Sequence, residues 1–196
     1  MKAADFFEDF TSKLYTEPGI VKAYWSPLGA FTDIVTKVIQ HIIKSNEFSS
    51  SKEYLRIDVT GWKSRSNEVA NDAKKFKMKP HLWDLTIAVE HENDTHDWSD
   101  EVIKLLHIRC PLKVVIGYND SNKRGTDLDK LALVATWMEQ TEAIKGIHDA
   151  ESTDHCEEFL IILGNCGKQP STTDPKKSFD YRGYLYNSQK QVFEQI

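Results

Sequence analysis

Glu90 and Glu92 stand two residues apart near the end of the run LWDLTIAVEHE. On an extended strand that spacing puts both carboxylates on one face, about 6.5 Å apart along the chain. Thr86 and Ala88, their neighbours on that face, are small. Two like charges so placed repel each other unless a cation or a proton is shared. Oxygen ligands of this kind suit a hard divalent ion such as Mg²⁺. The same pattern also arises from ordinary acidic residues at an exposed strand end. Downstream, Glu101 and Lys104 are three residues apart and would share one side of a helix. As a surface ion pair they would contribute little. Folded back over the carboxylates, the ammonium would neutralise developing phosphate charge or orient a water.

The elements that must position these groups follow from periodicity. Residues 3–15 place Phe6, Phe7, Phe10 and Leu14 at helical spacing, and Glu17-Pro18-Gly19 ends that helix. A second helix is expected over 29–44, with Phe31, Ile34, Val35, Val38, Ile39, Ile42 and Ile43 as its apolar stripe. Residues 48–51 read as a loop and 54–62 as a strand, with Asp58 on the face opposite Leu55, Ile57 and Val59. A short helix is expected around 68–75, and a strand over 82–92. A helix from Ser99 or Asp100 to about 108 takes Ser99 as its N-cap, and an apolar strand covers 112–118. The order strand, helix, strand implies a parallel neighbour. A helix over 128–144 has Leu131, Leu133, Val134, Trp137 and Met138 as its core side. A buried strand covers 158–164, and 179–187 reads as a late edge strand. The whole is one α/β domain around a mixed sheet flanked by helices. It divides into an N-terminal helical part (1–50), a central part (54–118) and a C-terminal helix with strands (128–196).

Composition narrows the partners. The net charge is −5, which lacks the overall basic footprint of most nucleic-acid binders. Positive charge is instead local. Lys63, Arg65, Lys74, Lys75, Lys77 and Lys79 face only Glu68 and Asp72, a net +4 within 63–79. Such a run reads as a solvated loop or as a phosphate-contacting segment. Cys110, Cys156 and Cys166 match no zinc spacing. A buried, reduced Cys110 and the absence of a signal-peptide pattern lead us to expect a soluble, cytoplasmic protein. His91 alternates inward with Val89 and reads as a core histidine. The segment 164–168 lacks the spacing of a phosphate loop.

The run from Tyr54 to Asp58, then Ile87 to Glu92, then a short helix and the strand Leu112 to Ile116, resembles the core of the PD-(D/E)XK phosphodiesterase superfamily, which includes many restriction endonucleases and repair nucleases. The resemblance covers 55–118, about a third of the chain. It implies a restriction endonuclease-like fold, an acid on one strand, a Glu-x-Lys on the next, and metal-dependent phosphodiester hydrolysis. Glu92 occupies the usual Lys position, and the resemblance then assigns the lysine to the following helix as Lys104. Asp58 or Asp84 would be the first acid. Asp84 lies six residues before Glu90 on the same strand, about 20 Å away if the strand is regular, so Asp58 is preferred. Asp58 and Glu90, with the His91 carbonyl, would hold Mg²⁺, with Mn²⁺ as a substitute. Glu92 would bind a second metal or steer the water. Lys104 would stabilise the transition state, held by Glu101. The implied substrate is nucleic acid, foremost DNA, and cutting both strands of a duplex would call for a homodimer. The alternative is a catalytically inactive descendant of that fold that binds nucleic acid or protein.

Overall fold

The computed structural model describes residues 1–26, 29–63, 67–78, 85–93, 98–120, 125–141, 157–165 and 173–196. Asp84, Arg65 and Lys79 lie outside them, as do Cys156 and Cys166.

Three helices come first: α1 (Ala3–Thr16), α2 (Ile20–Tyr24) and α3 (Ala30–Ser45). Phe6, Phe10 and Leu14 line the buried side of α1, and Val35, Val38, Ile39, Ile42 and Ile43 that of α3. Next come β1 (Ser49–Tyr54), β2 (Ile57–Trp62), α4 (Asn67–Lys75) and β3 (Leu85–His91). Then follow α5 (Trp98–Leu106), β4 (Leu112–Asn119), α6 (Asp127–Glu139) and β5 (Glu158–Asn165). The chain ends with α7 (Pro175–Phe179), β6 (Arg182–Asn187) and β7 (Val192–Gln195).

The seven strands form one mixed sheet whose spatial order follows the sequence. β1, β2 and β3 pair antiparallel; β3, β4 and β5 pair parallel; β5, β6 and β7 pair antiparallel. Strand alternation divides the core in two. Val89, Ile116, Tyr118 and Ile162 pack beneath α1, α2, α3 and α7. Ala88, Val115, Phe159 and Ile161 pack beneath α5 and α6. β4 is buried along its whole length, as expected for a central parallel strand.

Several expectations change. Residues 48–62 hold a hairpin rather than a loop and one strand. Tyr54 pairs with Ile57 across a two-residue turn in which Leu55 and Arg56 both have positive φ, 54° and 62°. That geometry usually recruits Asn-Gly, and the polar Ser49–Tyr54 is an edge strand without an apolar alternation, so neither signalled itself. α6 stops at Glu139, and Leu133 and Trp137 are 49% and 41% exposed rather than core. The expected late strand holds as Arg182–Asn187, although Phe179 ends a short helix before it, and β7 covers it, so β6 is interior to the sheet rather than its edge. α5 starts at Trp98, which places Ser99 in the first turn rather than at the cap. Among the described residues no helix is long and apolar enough to cross a membrane.

Trp98 seats α5 on the sheet. A Cβ built on Gly117 of β4 would lie 2.7 Å from Trp98 Cβ and Cγ. Side-chain-to-backbone contact this close leaves no room for a methyl. Gly117→Ala is therefore expected to lower stability by about 1–3 kcal/mol, read as a lower midpoint in urea with an unchanged slope.

Candidate functional site

The β2–β3 ladder sets Val59 against Val89 and Thr60 against Ala88. Continued one step, that register brings Asp58 opposite Glu90, on the face covered by α5. The two acids are cross-tied. The His91 amide donates to Asp58 Oδ2 at 2.8 Å, and the Asp58 amide donates to Glu90 Oε2 at 3.3 Å. α5 turns Val102, Leu105 and Leu106 into the core. Its remaining side then leads Lys104 toward the strand end. Lys104 Nζ lies 2.6 Å from Glu90 Oε1 and 2.9 Å from Glu101 Oε2. The structure thus brings Asp58, Glu90, Glu101 and Lys104 together. The carboxylates that hold Lys104 are Glu90 and Glu101, not Glu92. Glu92 follows β3 half-buried, its amide donating to the Ile116 carbonyl at 2.9 Å.

Burial dominates the electrostatics. Glu90 is only 1% exposed. Loss of solvation pushes its carboxyl up to about 7, the Lys104 hydrogen bond opposes that, and the charges of Asp58 and Glu101 reinforce it. Asp58 is also raised, first by burial, with the His91 amide and Lys104 pulling the other way. Burial alone would lower the Lys104 ammonium, but its bonds to Glu90 and Glu101 outweigh that and raise it. Three carboxylates around one ammonium leave the fully ionised cluster two negative charges in excess. A cation placed there would relieve them.

Among the described residues, no three acidic, histidine or cysteine side chains are arranged to hold a metal ion. Mg²⁺ does not need such a cage, because it usually keeps several waters and binds through one or two carboxylates. Asp58 and Glu90, adjacent and under-neutralised by Lys104, fit that requirement.

The basic segment joins the fold elsewhere. It leaves β2 at Trp62 and returns at Leu85, which pair with each other. Asp58 lies four residues back along β2, about 13 Å from that end. Within the segment, Lys63 pairs with Glu47 at 3.5 Å and Lys75 with Asp72 at 2.8 Å, while Lys74 and Lys77 are exposed. The strand register therefore does not unite the lysines with the acids.

His91 was legible as a core residue, but its partners were not. Its Nε2 is 3.1 Å from Tyr118 Oη, and Tyr118 Oη is 2.8 Å from Tyr181 Oη, all on the face opposite Glu90. Burial drives the imidazole down to about 3, so it is neutral. A histidine placed inward needs a polar partner, and Tyr118 falls on the same face of the next strand. Cys110 is a buried free thiol pushed up to about 12 by burial, as expected of an inert cysteine.

No family model, curated protein or solved structure matches the chain.

The titration of Glu90 checks the electrostatics. Its native pKa lies above the ordinary 4.5, so the native state holds the proton more tightly than the unfolded chain. Its contribution to stability is full at acid pH and declines as pH rises from 4.5 to about 7. In a carboxyl-carbon NMR titration we expect a Glu90 midpoint near neutrality. Lys104→Met should raise it further, since the ammonium is the main group holding it down. An ordinary glutamate midpoint would contradict this account.

Proposed function

We propose that the protein is a metal-dependent nuclease of the PD-(D/E)XK type that hydrolyses phosphodiester bonds, with DNA as the substrate. The observation that carries this reading is the approach of Lys104, from the helix after β3, to Glu90, which lies across the strand pair from Asp58. The surrounding order supports it. A helix, three antiparallel strands, a helix and a strand parallel to the third follow in order as α3, β1, β2, β3, α5 and β4, with α4 inserted between β2 and β3. An acid on one strand, a glutamate on the next and a lysine on the following helix is the arrangement the sequence resemblance implies.

Asp58 and Glu90, with the His91 carbonyl, would hold Mg²⁺ or Mn²⁺ in this reading. The bound ion supplies neutralisation of the phosphate and a water of lowered pKa. The chain's own residues do the rest. Lys104 donates to a phosphate oxygen as negative charge builds there, and its raised pKa keeps it charged for that task. Glu101 would keep hold of the ammonium with Glu90 serving as a metal ligand. Glu92, just past the end of β3, would steer the attacking water or take a second ion. The basic segment 63–79 attracts the polyanion at long range. Two copies of the chain would serve the two strands of a duplex, and the reduced, buried Cys110 suits a cytoplasmic setting.

Supercoiled plasmid with Mg²⁺ or Mn²⁺ provides the test. The parent protein should nick or linearise it. Glu90→Ala should abolish cutting, and Lys104→Ala should slow it by about 10²–10³-fold, the usual loss of a transition-state donor. Folded protein that cuts with neither metal would overturn the nuclease. It would favour the binding module that Glu92, in place of a strand lysine, also allows.

A further inference from the structure

We propose that Tyr118 is a positioning residue for the Asp58–Glu90 pair, acting through the side chain of His91 from the opposite face of the sheet. Its catalytic consequence rests on the nuclease reading; its structural core does not.

His91 is held from both faces of the sheet. On the α5 face its amide donates to Asp58 Oδ2 at 2.8 Å. On the other face its Nε2 meets Tyr118 Oη at 3.1 Å. Glu90 immediately precedes it, so the peptide joining them is fixed at one end by these two contacts. The position needs such fixing. The β2–β3 ladder closes with Val59 against Val89, and the β3–β4 ladder with His91 against Ile116. Beyond Val89 the β2 side of the strand is held by an Asp58 side chain in place of further ladder bonds.

The anchor continues inward. Tyr118 Oη is 2.8 Å from Tyr181 Oη, and the Tyr181 amide donates to Tyr15 Oη of α1 at 3.0 Å. Tyr118 has no exposed surface, and Tyr181 and His91 are each 6% exposed. The Phe31 ring packs against both His91 and Tyr118, with centroids 5.6 and 5.9 Å apart. Polar atoms buried this deeply in an aromatic core are costly unless partnered, and apolar residues would fill the space more cheaply. A chain of hydrogen bonds gives what apolar packing lacks, a directional constraint on one peptide. That peptide carries the acid the site depends on.

Tyr118→Phe keeps the ring and removes the hydroxyl, and Tyr181→Phe removes the next link while leaving the His91–Tyr118 contact. Amide hydrogen exchange by NMR reads the constraint directly. Tyr118→Phe leaves His91 Nε2 and Tyr181 Oη without this partner, so we expect a lowered melting temperature and, beyond that general loss, a His91 amide that exchanges about 10-fold faster or more relative to Val114. Cleavage kcat should fall by about 10-fold or more with KM little changed, since small misplacements at a reacting centre are costly. Tyr181→Phe should show the same pattern more weakly. An unchanged His91 amide in Tyr118→Phe overturns the proposal. So does exchange that rises uniformly across the sheet, which marks a purely structural role, or faster His91 exchange with kcat intact. If the parent protein does not cut DNA, the nuclease reading fails on its own, and His91 exchange in the two variants still decides whether Tyr118 holds the acidic strand end.

Discussion

Taking the Glu90 carboxylate out of water is the constraint around which the site is built. An ionised carboxylate that is almost wholly buried carries a large desolvation cost, and here that cost shows as a pKa near neutrality. Lys104 lowers the cost with a contact at 2.6 Å, but Asp58 and Glu101 add to it. Replacing such a group by an apolar residue often stabilises a protein. The arrangement is therefore poorly explained as a device for stability. The cluster keeps negative charge that Lys104 alone does not balance, which is the charge the proposed metal site would use.

The sheet makes that burial possible. β3 is the strand at which antiparallel pairing gives way to parallel pairing. Its antiparallel side delivers Asp58 within a few residues of a tight turn. Its parallel side demands a crossover, and α5 is that crossover. The helix must lie over the strand it has just left, so a lysine two turns along it returns to the carboxyl end of β3. Trp98 against Gly117 then fixes the depth of the helix. The same alternation that points Glu90 toward α5 sends His91 into the aromatic core beneath α3, so the strand end is gripped on both sides.

Much of this was legible. The amphipathic stripes of α1 and α3 and the apolar runs of β4 and β5 are strong periodic signals, and they held. The pairing of Glu90 with Lys104 was accessible because strand and helix periods each fix a direction. Other parts carried no local signal. The Leu55-Arg56 turn uses residues that seldom adopt positive φ, and β1 is too polar to read as a strand. Leu133 and Trp137 obey helical periodicity yet face outward, because periodicity names a stripe without saying which part of it finds a partner. The bonds from His91 to Asp58 and to Tyr118 depend on inter-strand register, which spans 33 and 27 residues of chain.

The glutamate at position 92 is compatible with the same geometry. A lysine at that position would stand past the carboxyl end of β3, two residues from Glu90. A lysine on α5 approaches from above the sheet and brings its own second acceptor, Glu101, one turn away on the same helix. The charge delivered to Glu90 is the same, but it is held between two carboxylates rather than at the end of a free side chain. With the cation supplied from the helix, the strand position no longer has to carry positive charge. In the proposed reading an acid there would offer a further oxygen ligand. The cost is greater mutual repulsion among the carboxylates, which the proposed divalent ion would relieve.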